Sequence, residues 1–293
     1  MPGGSDRALV HGFTLRSRSN FYYSFLFLPA DKRAAIEAVY AFCRSVDDAV
    51  DSAPDHASAR DQLLFWRREL AACYGDGEPS HPISRDLAGH VRRLDLSREP
   101  LEDVIRGVEM DLTRRSYETF PELALYCGRV ASAVGLSCIE IFGSRGEASR
   151  RYATTLGIAF QLTNILRDLR TDCRDGRCYI PLEEMRRFGY SPEEAAEGRG
   201  GDAFRRLMEF QCARAEDLFR RAESEMPCGE RRRLLAAQIM GVIYRTILRK
   251  IARSPETVLE GRLCLTRPHR LALAVGTWAR TLVSSGSPSP SEP

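Results

Sequence analysis

Lysine is almost missing from this chain: Lys32 and Lys250 stand against 41 arginines in 293 residues. A GC-rich coding sequence accounts for that bias in bulk. It also leaves cationic recognition to arginine, whose planar fork suits phosphate oxygens. The charge excess is small, at +3, which gives no reason to expect nucleic acid. No run approaches 18 uncharged apolar residues, so no membrane-spanning helix is expected. Met1 to Gly12 lacks the apolar centre of a signal peptide, so export is not expected. Two-residue alternation of Val, Ile and Thr is nearly absent, which argues against a sheet. The nine cysteines contain no C-x-x-C pair. Cys173 and Cys178 are the closest two, and no matching His/Cys cluster follows them. A zinc site is therefore not expected, and the thiols read as small core residues in a reducing cytosol.

What is abundant is helix-forming. Ala, Leu, Arg and Glu dominate, and 43% hydrophobic against 28% charged residues is the balance of a folded protein with a sizeable core. Mean hydropathy is −0.31. Between Ala30 and Val50 the apolar residues Ala35, Ile36, Val39, Tyr40, Phe42, Cys43 and Val46 form a helical stripe. Further helices are predicted over about 57–74, 83–94, 100–114, 121–142, 147–172, 181–187, 202–225, 230–253 and 268–283, punctuated by Gly and Pro. No internal repeat or linker interrupts them. The expectation is one all-α domain over 13–283, with residues 1–12 and the Ser/Pro-rich 284–293 disordered.

The sharpest local feature is Asp47-Asp48-Ala49-Val50-Asp51. Asp47 and Asp51, at i and i+4, project from one helix face and repel unless a cation lies between them. A second stripe follows at Gln161, Asn164, Asp168 and Asp172, in a segment otherwise apolar: Leu156, Ile158, Ala159, Phe160, Leu162, Ile165, Leu166. Such a stripe is costly to bury without partners. Its hard oxygens suit Mg²⁺, which keeps waters and bridges to substrate phosphates. A buried polar network that fixes helix packing is the alternative. Arg44, Arg167, Arg170 and Arg177 flank the two sets, as a diphosphate leaving group would require.

At these residues the chain resembles the squalene/phytoene synthase family, the head-to-head trans-isoprenyl diphosphate synthases. The matching segments are Ser19-Asn20-Phe21-Tyr22-Tyr23-Ser24-Phe25 with Leu28-Pro29, and Tyr40-Ala41-Phe42-Cys43-Arg44 leading into Asp47 to Asp51. Tyr126-Cys127, Val130-Ala131 and Val134-Gly135 follow. The strongest block is Gln161-Leu162-Thr163-Asn164-Ile165-Leu166-Arg167-Asp168, running on to Asp172 and Gly176 to Pro181. Within the family, SNFYYSFLFLP, VEMDL, YCGRVASAVGL and FQCARAEDLF are most similar to bacterial presqualene diphosphate synthases of hopanoid pathways.

The resemblance implies an isoprenoid-synthase helical fold with a central apolar cavity that takes two farnesyl diphosphates. It implies that Asp47, Asp51, Asn164, Asp168 and Asp172 hold Mg²⁺, and that Arg44, Arg167 and Arg177 grip diphosphate. Tyr40, Gln161 and Tyr244 would stand at the reacting centre. Asn20, Phe21, Phe25, Val130, Val134 and Tyr179 would contact substrate, with Leu156 and Phe160 also on the wall. Asn20 stands where the family often has Ser, and Ser52 replaces a frequent Glu. The implied product is presqualene diphosphate for squalene, hopanoid or other triterpene biosynthesis, without NADPH. Squalene, dehydrosqualene and phytoene synthases are alternatives, as is a non-catalytic member acting as an assembly protein, which should have lost aspartates. Implied surroundings are the cytoplasm, loose peripheral contact with the inner membrane, and downstream isoprenoid enzymes; nucleic acid is not an implied partner.

Overall fold

The computed structural model describes residues 6–7, 10–12, 24–261 and 263–284. Its helices are α1 (Ala30–Asp51), α2 (His56–Cys73), α3 (Pro82–Leu94), α4 (Arg98–Thr113), α5 (Phe120–Cys127), α6 (Ala133–Phe142), α7 (Glu147–Arg174), α8 (Leu182–Phe188), α9 (Pro192–Glu197), α10 (Asp202–Glu225), α11 (Leu235–Arg253), α12 (Thr257–Glu260) and α13 (Arg267–Ser284). Among the described residues β pairing is limited to one isolated bridge, Ser116 to Cys178. The fold is the all-α class that the composition implied.

Local signals explain most boundaries. Asp55 caps α2 by accepting the Ser58 N–H at 2.8 Å. Pro82 opens α3 at a position where no backbone donor is needed. Gly143 ends α6 at φ 82°, a left-handed conformation in which a Cβ would be strained. The 28-residue α7 is the central element, packed against α6, α9, α10 and α11, while α1 packs against α2, α3, α4 and α6. Between them run fully buried side chains such as Phe42, Leu101, Ile105, Ile139, Leu169 and Phe204.

Three expectations change. The predicted helix over 121–142 is continuous but contains a π-helical turn, Gly128–Ser132, between α5 and α6. Two glycines make room for it. A Cβ on Gly157 of α7 would stand 2.6 Å from the Ser132 Cα, and one on Gly107 of α4 would stand 2.7 Å from the Val130 Cγ1. Phe120–Phe142 is also long and apolar enough to cross a membrane by length and composition, although half of its most apolar stretch is buried in the protein and Arg129 interrupts it. Its apolar side chains serve a core. Finally, residues 6–7 and 10–12, expected to lack order, are helical: Arg85 donates to Asp6 at 2.8 Å, His11 lies 3.0 Å from Glu37, and Val10 is buried.

The short helices α9 and α12 were not anticipated. The first has a capping box, Ser191 with Glu194, then Gly198 at φ 74°. The predicted helix from 230 starts at Leu235, after a run of turns.

Candidate active site

A cavity of about 730 Å³ lies among α1, α4, the π-turn, α6, α7 and α11. Most of its wall is apolar. Phe25, Val104, Val108, Val130, Val134, Leu156, Phe160, Met240 and Ile247 line it, and one end is polar, with Tyr40, Arg44, Asp47, Gln161, Asn164 and Arg167. Tyr244 also lines it, its ring 4.6 Å from that of Phe160. Two expected substrate contacts, Asn20 and Phe21, lie outside the described residues.

Helical periodicity carries the acids from the wall outward. Asp51 is one turn beyond Asp47 on α1, and Asp168 and Asp172 continue the line from Asn164 on α7. Three of the four acids, Asp47, Asp51 and Asp168, meet an arginine. Arg44 donates to Asp47 at 3.0 Å and reaches Asp48 at 2.6 Å. Arg167 holds Asp168 through a two-pronged pair, with Nε donating to Oδ1 at 2.9 Å. Arg177, on the loop after α7, donates to Asp51 at 2.8 Å. One guanidinium thus ties the end of α1 to the end of α7.

Asp47 and Asp172 titrate high because burial and a like charge one turn away disfavour their ionised forms. Asp47 is pushed up to about 6 by burial and by Asp51, and Arg44 offsets part of that. Its side chain is 44% exposed, an opening that faces the polar end of the cavity among protein groups. Asp172 is pushed up to about 7 by burial and by Asp168. These sites gain from a cation, which would relieve the like-charge repulsion.

The α4 residue Asp111 was absent from the sequence-based site. It accepts hydrogen bonds from the hydroxyls of Tyr126 and Tyr179, each at 3.0 Å. Burial, with Asp51 opposing the field of Arg177, raises it to about 6. Tyr126 and Tyr179 stack with ring centres 5.2 Å apart. Tyr126 reaches the cavity wall, whereas Tyr179, expected at the substrate, is held at Asp111. A signal was available: Asp111 follows the cavity-lining Val104 and Val108 at i+7 and i+3, on the same helical face.

The donor set fits a hard divalent cation shared with phosphate. Among the described residues no three His, Cys, Asp or Glu side chains form a ready cage by themselves. Asn164 Oδ1 is nevertheless buried without a donor, while Nδ2 of the same residue donates to Gln161 at 3.3 Å. A lone acceptor beside coupled carboxylates suits a cation completed by substrate oxygens and water.

Residues 14–269 match the family model described as squalene/phytoene synthase. The chain is 34% identical over 282 residues to 15-cis-phytoene synthase of Synechocystis sp., covering 92% of this chain and 83% of that protein. It is 33% identical to phytoene synthase of Mycobacterium tuberculosis, covering 94% and 91%. Among solved structures, a dehydrosqualene synthase in complex with ligand superposes with a TM-score of 0.86 at 27% identity, covering 96% and 97% of the two chains. Squalene synthase HpnC from Alicyclobacillus acidocaldarius superposes at 0.75 and 29% identity, covering 88% and 96%.

Proposed function

The chain belongs to the squalene/phytoene synthase family, whose members are prenyltransferases, and from that premise we propose that it joins two farnesyl diphosphates head to head into presqualene diphosphate. The observation that carries this reading is one apolar cavity with both aspartate helices at its polar end, where Asp47, Asp51 and Asp168 are each paired with an arginine.

Arg44, Arg167 and Arg177 grip the diphosphate of the first substrate and favour the charge that develops as its C1–O bond breaks. Asp47, Asp51, Asn164, Asp168 and Asp172 would hold Mg²⁺, which supplies further neutralisation of the leaving diphosphate. The allylic cation stays among Val130, Val134, Leu156 and Phe160, where water cannot quench it. The C2–C3 double bond of the second farnesyl chain attacks C1 of the first. Loss of a proton, to the released diphosphate or to a tyrosine, then closes the cyclopropane. The second diphosphate remains on the product. The family's setting suggests a cytoplasmic enzyme at the head of triterpene synthesis, without NADPH.

A second reading, phytoene synthase, is favoured by the names of the most similar curated relatives. Product analysis separates the two. Farnesyl diphosphate with Mg²⁺ should give presqualene diphosphate with or without NADPH. Squalene formed only with NADPH makes it a full squalene synthase. Phytoene from geranylgeranyl diphosphate, with no product from farnesyl diphosphate, gives the second reading. No turnover of either substrate leaves a non-catalytic member.

A further inference from the structure

Helix α4 is a wall shared by two cavities. Its Val104 and Val108 face the apolar chamber. On the opposite face, Arg106, Glu109, Met110 and Thr113 line a groove of about 590 Å³. Helix α2 supplies the other side of that groove through Arg60, Leu63, Leu64 and Arg67. Both sets follow the i, i+3, i+4, i+7 spacing of a single helical face. At 1.5 Å per residue each face runs for about 10 Å, the scale of a small molecule. Arg129, half-buried on the π-turn, completes the lining. Its start is fixed by the backbone. The Arg129 Cβ lies 2.9 Å from where a Cβ on Gly107 would stand, an approach that only glycine allows.

The groove holds four arginines against one carboxylate, Glu109. Arg67 pairs with Glu109 at 2.6 Å, but both side chains are about half exposed, so that pair is weak and open to exchange. Arg106 is shared between Asp103 at 2.9 Å and Glu102 at 3.2 Å. Arg60 and Arg129 have no carboxylate partner among the described residues. Arg129 Nη1 instead meets the Met110 thioether at 3.4 Å, a weak acceptor. Two guanidinium groups that no acid cancels call for an anion of two or more charges. A phosphate or diphosphate carries that charge and matches the fork, whereas a single carboxylate carries half of it. Leu64, 50% exposed, adds apolar surface at the same place.

We propose that the groove between α2 and α4 is a second, non-catalytic binding site for a diphosphate group, either free or at the head of a prenyl chain. The assignment rests on the charge of the groove and not on the reaction proposed above, although that reaction both uses and releases this group. A bound anion would hold Arg129, whose neighbour Val130 forms part of the chamber wall.

The test is calorimetric titration of the full chain in the presence of a chelator, which removes cation-dependent binding at the aspartates. The ligands are inorganic diphosphate and farnesyl thiodiphosphate. Arg60→Gln with Arg129→Gln should weaken inorganic diphosphate roughly tenfold or more, the scale of one lost charge-assisted hydrogen bond. Far-UV circular dichroism should stay unchanged. Arg60→Gln alone, on an exposed side chain, should cost roughly threefold, half of that free energy, and serves should the pair fail to fold. Arg177→Lys should leave this binding unchanged. Leu64→Gln distinguishes the two sources. A loss confined to farnesyl thiodiphosphate places the prenyl chain in the groove, and no loss for either ligand assigns the groove to the free anion. The proposal is overturned if the double variant binds inorganic diphosphate as the parent does, or if Arg177→Lys abolishes binding that the double variant keeps. Equal competition by sulfate at the same concentration would overturn it as well, reducing the groove to general anion attraction. Binding is read without turnover, so its failure and the failure of the proposed reaction are separate results.

Discussion

Single side chains at the polar end of the cavity are held in a state that ligands must exchange. Arg177 is bound to Asp51 and Arg167 to Asp168, so a diphosphate arriving without a cation must compete with carboxylates for its guanidinium groups. Arg177→Lys keeps the charge but loses the fork that can face Asp51 and a phosphate oxygen together. Its kcat/KM should fall roughly 10²-fold, the usual scale for one electrostatic donor, and steady-state kinetics would read it. Parent-like kinetics would remove Arg177 from the site. Asp172 gives a pH prediction. An aspartate in an unfolded chain titrates near 4, and Asp172 in the native protein is raised to about 7. Over that window the native state binds the extra proton, so this group's contribution to stability is lost as pH rises. Asp172→Asn should therefore gain in Tm on the parent between about pH 4 and about pH 8, with no gain at the acid end. A constant difference across that range would refute the assignment. Both aspartate sets were legible from their i, i+4 spacing, whereas the role of the arginines came from the resemblance and the Arg177–Asp51 pair, 126 residues apart, from neither. Asp111 was missed although it continues the Val104–Val108 face, because a lone acid has no second ligand at helical spacing and Tyr126 and Tyr179 reach it from distant segments.

Whole elements were legible wherever apolar periodicity ran long. The stripe of α1 and the extent of α7 could be read within a residue or two. Short elements escaped because they offer too few turns for a period to show. The helix α9 could still have been found from its Ser191–Glu194 box and Gly198, which are chemical signals and not periodic ones. The π-turn was beyond reach, because Gly128 to Ser132 looks like any small-residue helix. Its geometry is stabilised by what packs on either side, Gly107 and Gly157. Gly157→Ala should thus cost about 1–3 kcal/mol in urea unfolding, since the new methyl meets the Ser132 backbone, which has no rotamer to change. Gly128→Ala is the control. A Cβ there meets nothing within 4 Å, so the variant should be neutral or gain about 0.5–1 kcal/mol from the better helix former. Equal effects at the two sites would show that the close approach does not shape this helix.

At the scale of the whole molecule, the helices form a chamber lined mostly by apolar side chains, with one charged end. A polar wall should admit water to the cation. Leu156→Ser, in the middle of α7, should divert product toward the alcohol formed by water capture, while diphosphate release continues. Chromatography of the organic extract would show the shift, and an unchanged product ratio would argue that the cation forms elsewhere. The family resemblance implied such a chamber, and the two aspartate sets marked its polar end. Neither showed that the outer side of the wall at α13 would be apolar, because a helix with Leu, Val and Trp at helical spacing reads as one that buries them.

The π-turn has one further consequence, which is rotational. A single-turn bulge of this kind carries one residue more than the α-helical repeat requires, and each residue of an α-helix turns the chain by about 100°. Everything from Ala133 to Phe142 is thus phased by that surplus residue. Val134, Cys138, Ile139 and Phe142 face the chamber in this phase. Deleting one residue between Gly128 and Ser132 would let the helix heal into a regular spiral. It would also swing those four side chains about a quarter turn away, emptying one wall of the chamber without changing any residue on it.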